Sequence, residues 1–421
     1  MFGGEPERSG GKIPRDTDDP AKDPHKPVNG DPHGLIFALT RVMQFLKVAI
    51  FSIFVLTAFD VSAKGRKIVI LTDIEPDDRI ALHLLAANFL PEEILLIGTT
   101  VMNAAEKRVL VQRLMRQLGF GSVPVAQGTG FYPSDYPEIQ ATKPARNFLG
   151  EGKGILSSQE LNELMNVPRT SMEFQQRLQS VLEQNEDVEF LVLAPPTDLV
   201  AVLEMRPDLK RKIKHIGFMG GWSEVKDEAG QLIRRLTYNG NMEPLHTNST
   251  RKLMKMEDLP ITVFSFHAIK LAFPERSINP GNYPDVWNII DRVKLNKISL
   301  QETSMASALW DQHILESLPP TMPPTHPLKV ALTQYQGRQF APADPLVVAA
   351  MLDPHLIQES RLASIDIDIN DIDPTTGIRV YVQGNAHSQI RVVEQISAPR
   401  FINILKASFL KFDCAGALEG R

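Results

Sequence analysis

Three aspartates crowd one short run, Leu71-Thr72-Asp73-Ile74-Glu75-Pro76-Asp77-Asp78. Carboxylates this close repel one another when all are ionised in a cleft. A divalent cation removes that cost, and hard oxygen donors suit calcium or magnesium. Asp77 and Asp78 also stand where a helix is expected to begin, a place that favours negative charge and side chains that cap free N–H groups. Capping accounts for one aspartate and leaves two for a metal. Far along the chain, Ala343-Asp344-Pro345 opens the apolar run Leu346 to Leu352, and on its own this Asp-Pro reads as an ordinary helix start. The single cysteine, Cys414, allows no internal disulfide, no Cys-rich zinc site and no redox pair, so any metal is held by oxygen or imidazole. Asp366-Ile-Asp-Ile-Asn370 has the look of a calcium loop, but the sixth and twelfth positions of an EF-hand, Gly and Glu, are here Asp371 and Gly377. That run is therefore expected to be the wet face of a strand.

The elements that must position these groups follow from short apolar runs alternating with amphipathic segments. Strands are expected at 67–72, 94–101, 123–126, 188–194 and 213–219, with 261–266 closing the parallel set, and helices at 77–88, 104–118, 171–184, 198–205 and 346–352. Ile365, Ile367 and Ile369 alternate with polar residues, and Ile378-Arg-Val-Tyr-Val382 follows a Thr-Thr-Gly turn, as in an antiparallel pair with one solvated face. The fold class is α/β: an open, mainly parallel Rossmann-like sheet with flanking helices and a C-terminal antiparallel appendage. The Asp-rich run falls at a strand's carboxyl end, where such sheets bind ligands.

Together these segments resemble the inosine–uridine-preferring nucleoside hydrolase family, in which Asp-x-Asp-Pro-Gly-x-Asp-Asp follows the first strand and a late His-Asp-Pro completes a calcium site. The resemblance implies the nucleoside hydrolase fold over residues 67–412 and calcium-dependent cleavage of the N-glycosidic bond of a ribonucleoside or related N-riboside. It implies one Ca2+ per chain, with Asp73, Asp78, Asp344 and the main-chain carbonyl of Leu193 as ligands, and Asp77 as the base that activates a calcium-bound water. Leu193 enters through Leu193-Ala-Pro-Pro-Thr-Asp198, which is similar to the family's Thr-Gly-x-Leu-Thr-Asn. Asn103, after Ile97-Gly-Thr-Thr-Val101, and Thr237 and Asn239, ahead of Glu243-Pro244, fall on ribose-contacting positions. Gly217-Phe-Met-Gly-Gly221 resembles the family's Met-Gly-Gly turn, and Thr376-Gly377 its closing hairpin.

Five family positions are changed. The first aspartate is Leu71, Pro-Gly is Ile74-Glu75, the ribose-holding glutamate is Thr237, and the histidine beside the late aspartate is Ala343. These changes point to a divergent branch. The reaction needs a positioned water, a base, stabilisation of an oxocarbenium-like sugar and a way for the departing base to leave. Trp222 is a candidate to stack on that base and His313 a candidate acid, whereas His267 reads as a structural histidine. Two rivals stand beside the hydrolase reading. One is a catalytically impaired relative that binds metal and a ribose-like ligand; the other is a metal-dependent phosphohydrolase, disfavoured by the lack of an Asp-x-Asp-x-Thr nucleophile and of a basic phosphate clamp.

A net charge of −5 with scattered Lys and Arg gives no basic footprint for nucleic acid. The partner is a small-molecule nucleoside or riboside, and a homo-oligomer is expected. Residues 1–42, rich in Gly and Pro, read as a disordered extension or an over-extended start. Residues 43–63 combine a basic start, an apolar stretch at 48–59 and an Ala-type exit, the pattern of a signal peptide, with an uncleaved anchor as the alternative. A periplasmic or secreted location follows, with a hydrolase-like domain at 64–413 and a tail at 414–421.

Overall fold

The computed structural model describes residues 65–101, 104–130, 158–168, 171–227, 229–236, 244–273, 342–373 and 377–416. The segment at 48–59 lies outside them. Among the described residues, no helix is long and apolar enough to cross a membrane.

Ile68–Thr72 is uniformly apolar up to its last residue and is buried along its whole length, as expected of a central strand covered on both faces. This strand, β1, leads into α1 (Pro76–Ala86), β2 (Ile94–Thr99), α2 (Ala104–Gln117) and β3 (Val125–Gln127). After α3 (Ser158–Met165) and α4 (Glu173–Gln184), the chain returns as β4 (Val188–Val192), α5 (Thr197–Met205) and β5 (Ile213–Met219). A hairpin, β6 (Trp222–Lys226) and β7 (Leu232–Leu236), precedes α6 (Pro244–Met254), β8 (Ile261–Phe264) and α7 (Phe266–Ala272). The last elements are α8 (Ala343–Leu352), β9 (Ile357–Asp373), β10 (Gly377–Gly384), β11 (Ile390–Ile396) and α9 (Ala398–Gly416).

One sheet holds all eleven described strands, in the order β3-β2-β1-β4-β5-β8-β11-β9-β10-β7-β6. From β1 the chain winds outward through β2 and β3, then starts again at β4 and winds the other way. Right-handed crossovers therefore put helices on both faces. Residues of α1, α2, α7, α8 and α9 share one apolar core, and those of α4, α5 and α6 share the other. The reversal falls between β1 and β4, which pair in parallel from Ile68↔Glu189 to Leu71↔Val192. A crevice opens at such a switch point, beyond the carboxyl ends of the two strands.

One expectation needs correction. Ile261–Phe264 does not close the parallel set, because β11 pairs in parallel with it from Ile390↔Ile261 to Val393↔Phe264. The antiparallel strands expected at the C-terminus are present and continue the main sheet, β9 pairing with β11 and β10 with β9. The run at 366–370 is indeed strand, with Ile365 and Ile367 buried and Asp366 out at Lys255 Nζ, 2.7 Å away. Helix α9 runs through Cys414 to Gly416.

Candidate metal centre at the switch point

Two helix starts build the site. Pro76 opens α1 with the fixed φ that a first helical turn accepts, which puts Asp77 and Asp78 in that turn. Ala343–Leu352 is apolar on every side except at Asp344, and such a helix is stable only when enclosed. Helix α8 packs against α1 and β5, and close approach to β5 depends on Gly217, where an added Cβ would meet Val347 Cγ1 at 2.8 Å. With α1 and α8 packed together, one oxygen each from Asp77, Asp78 and Asp344 lies within 4.8 Å of the others. Oxygens sharing one calcium ion can be up to about 5 Å apart, twice the usual Ca–O distance.

Burial sharpens the chemistry. Asp73, Asp78 and Asp344 are inaccessible, and Asp77 is half-buried. Asp78 accepts hydrogen bonds from the Thr72 hydroxyl and, at 2.9 Å, from the Glu75 N–H. One Asp78 oxygen thus caps the helix, as the position suggested, while both oxygens keep lone pairs. Asp344 Oδ1 is buried with no hydrogen-bond partner among the described residues. Burial pushes the Asp78 carboxyl well above its usual range, and the charges of Asp73 and Asp77 push it further. Asp344 is raised in the same way, by burial first and then by Asp77, Asp78 and Asp73. An orphaned buried oxygen amid an all-carboxylate donor set fits a hard divalent cation.

The loops are strained where they meet the site. Ile74 (φ 53) and Val101 (φ 71), both β-branched and buried, adopt the left-handed region after β1 and β2. Such conformations cost on the order of 1–3 kcal/mol each and gather at functional sites. The Leu193 N–H donates to Leu71 O at 2.9 Å, which sets the main chain of Leu193 beside the start of the acidic loop.

Of the residues singled out from sequence, Asp77, Asp78 and Asp344 converge, while Asp73 stands outside that group of oxygens and acts on Asp78 through its charge. Trp222 and His267 lie together along a cavity lined by none of these aspartates. Asn103, Thr237, Asn239 and His313 fall outside the described residues. Sequence reasoning missed His246, fully buried on α6 and 2.6 Å from Thr197 Oγ1, and Lys107, fully buried on α2. Burial and the charge of Lys107 lower His246 to about 3. A lone histidine in a polar run gives no pattern that would have flagged it. Asp198 is another such residue: it accepts from the Thr129 N–H and hydroxyl and from Gln175, tying the end of β3 to α5.

Residues 68–248 match the model of the inosine-uridine preferring nucleoside hydrolase family. Over 157 residues the chain is 30% identical to the pyrimidine-specific ribonucleoside hydrolase RihA of Citrobacter koseri, covering 36% of this chain and 47% of that one. The chain thus spans about half the length of this curated relative. A solved plant nucleoside hydrolase, PpNRh1, superposes with a TM-score of 0.54 at 15% identity, covering 82% of this chain and 98% of its own. The type III effector XopQ, solved with adenosine diphosphate ribose, gives a TM-score of 0.52 at 18% identity, covering 85% and 97%.

Proposed function

We propose, from the match of residues 68–248 to the model of the inosine-uridine preferring nucleoside hydrolase family, that the chain hydrolyses the N-glycosidic bond of a ribonucleoside or related N-riboside, with calcium as its metal. The observation that carries this reading is the convergence of Asp77, Asp78 and Asp344 at the sheet's switch point, with one buried Asp344 oxygen unpartnered.

Asp73, Asp78, Asp344 and the Leu193 carbonyl would hold the ion. A bound divalent cation supplies Lewis acidity and neutralises the packed carboxylates. Asp77, the half-buried member, is the carboxylate within reach of solvent, and its oxygen accepts the proton of the attacking water. The water oxygen bonds to the sugar carbon as the C–N bond breaks, and the departing base takes that electron pair. Ala343 offers no proton at the position where the family carries histidine, so leaving groups that need no protonation should be cleaved best.

The test compares p-nitrophenyl riboside with inosine. General acid catalysis is worth about 10²–10⁴-fold, so the nitrophenyl compound should be cleaved faster by a factor of that order, and Asp77→Asn should abolish its cleavage. Calcium titrated into chelated protein should bind with heat that Asp78→Ala loses. A second reading, a metal- and ribose-binding relative without turnover, is favoured by Ala343 and Thr237. It would be the correct one if calcium and adenosine diphosphate ribose bind while neither substrate is cleaved.

A further inference from the structure

Beyond the acidic crevice, a cavity of about 480 Å³ opens between β6, β7, α7 and the β9/β11 pair. Its size lies within the usual range for small-molecule sites, and two local departures from regular structure shape its walls. Gly221 adopts a left-handed turn (φ 86) just before Trp222, so β6 starts with that indole against the cavity. Trp222 is only 3% exposed, and its indole N–H meets no acceptor among the described residues. On the opposite wall, Val393 pairs with Ser360 and Gln395 with Glu359, which leaves Glu394 as the extra residue of a β-bulge. Bulges of this kind re-aim a side chain, and Glu394 accepts from Arg361 Nε.

The arginines of the cavity are already matched. Arg361 is held by Glu394 and Arg234 donates to Glu224 at 3.0 Å, while the His267 ring stands 3.6 Å from the same Glu224. Glu359 and Gln395 add further acceptors, while Leu271, Ala272 and Ile396 supply apolar wall. With Glu359 in excess of the paired charges, the cavity disfavours an anion. It suits a neutral, flat molecule with hydrogen-bond donors and acceptors around its edge.

We propose that this cavity is a second binding site, for a neutral planar heterocycle of nucleobase type. The indole N–H of Trp222 donates to a ring nitrogen or carbonyl of the ligand, and the carboxylates and Gln395 accept from its N–H groups. The choice of a nucleobase over other heterocycles rests on the proposed reaction, which releases one. The cavity itself does not depend on that reading.

Equilibrium dialysis of the full chain against radiolabelled adenine and uracil tests the proposal. At least one base should bind the wild type. Trp222→Phe keeps an aromatic wall and removes the donor, so it should weaken binding roughly two- to twelvefold, the usual worth of one hydrogen bond. Arg361→Gln, a change at a partly exposed position that is safe for folding, should weaken it too, because Glu394 loses its tether. Asp78→Asn should leave binding unchanged, which separates this site from the acidic crevice and from any failure of turnover. No binding of either base would overturn the proposal, as would binding lost in Asp78→Asn but kept in both cavity variants. Displacement of the label by benzoate or inorganic phosphate as readily as by unlabelled base would overturn the ligand class.

Discussion

Asp78 and Asp344 carry an electrostatic burden that fixes how this fold should respond to pH. Both carboxyls are raised above the ordinary aspartate range, by burial first and by neighbouring aspartates second. A carboxyl whose folded pKa exceeds its unfolded value favours the fold at low pH, and that contribution is lost as pH rises through the raised value. The metal-free protein should therefore be penalised most at alkaline pH. Melting curves with and without chelator should show a larger drop in Tm on chelation at about pH 8 than at about pH 5; equal drops would mean the carboxyls are not linked to the ion. In chelated protein at about pH 8, Asp344→Asn should be more stable than wild type by on the order of 1 kcal/mol, while losing calcium affinity. Buried His83 and His246 act with the opposite sign, being lowered to about 4 and about 3. They favour the fold fully above the unfolded histidine pKa, and that contribution fades as pH falls below about 6.5, by about 1.4 kcal/mol per unit and histidine. His246→Gln should make acid unfolding of the metal-loaded protein less steep. The acidic loop was readable because Asp73, Asp77 and Asp78 fall within six residues of sequence. Asp344 was readable only through family resemblance, since an Asp-Pro helix start carries no signal of its own, and His246 had none at all.

Elements bring Asp344 to the other aspartates, and the tightest constraint on that placement is the contact between α8 and β5. With Val347 Cγ1 2.8 Å from where a Gly217 Cβ would stand, Gly217→Val must push α8 away from the sheet. Overpacking of this kind costs typically about 1–3 kcal/mol. Because Asp344 rides on the first turn of α8, the same displacement should weaken calcium binding by about tenfold or more at temperatures where the variant is folded, a result calorimetry would read directly. Unchanged affinity would show that the helix start is held independently of the sheet. Of the strands that sequence pattern located best, β1, β2 and β4 are mostly apolar runs buried on both sides, and β5 becomes so from Ile216 onward. Those it missed pair over long distances or carry charge: Trp222-Ser-Glu-Val-Lys226 and Leu232-Ile-Arg-Arg-Leu236 form a hairpin in which Arg234 and Glu224 face each other across the ladder. The parallel partnership of β11 with β8 joins segments far apart in the chain, and nothing in the period of either strand specifies it.

At the scale of the whole molecule, the two ends of the chain have different standing. The C-terminal helix α9 belongs to the fold, since Phe401, Ile402, Ile404 and Leu405 are buried in the same core as α1 and α8. Residues 1–64 lie outside the described structure, and their reading rests on pattern alone. The basic, apolar and small-residue order from Met43 to Ala63 motivates the proposal that the chain is exported and trimmed near Lys64. The start of the fold is compatible with such a cut, because β1 begins at Ile68 and the Gly65 N–H just before it donates to Glu93 at 3.0 Å. A single cysteine leaves no disulfide to form in an oxidising compartment, so export would add no stability through crosslinking. Calcium would add it instead: a ligand that binds the folded state at about 100 times its Kd stabilises by about 2.7 kcal/mol. The expected result is that protein recovered from a secretory host starts near Lys64 by N-terminal sequencing, and that its Tm falls on chelation. An intact 1–63 segment recovered in membrane fractions would identify the apolar stretch as an anchor, with the same folded domain held at a membrane surface.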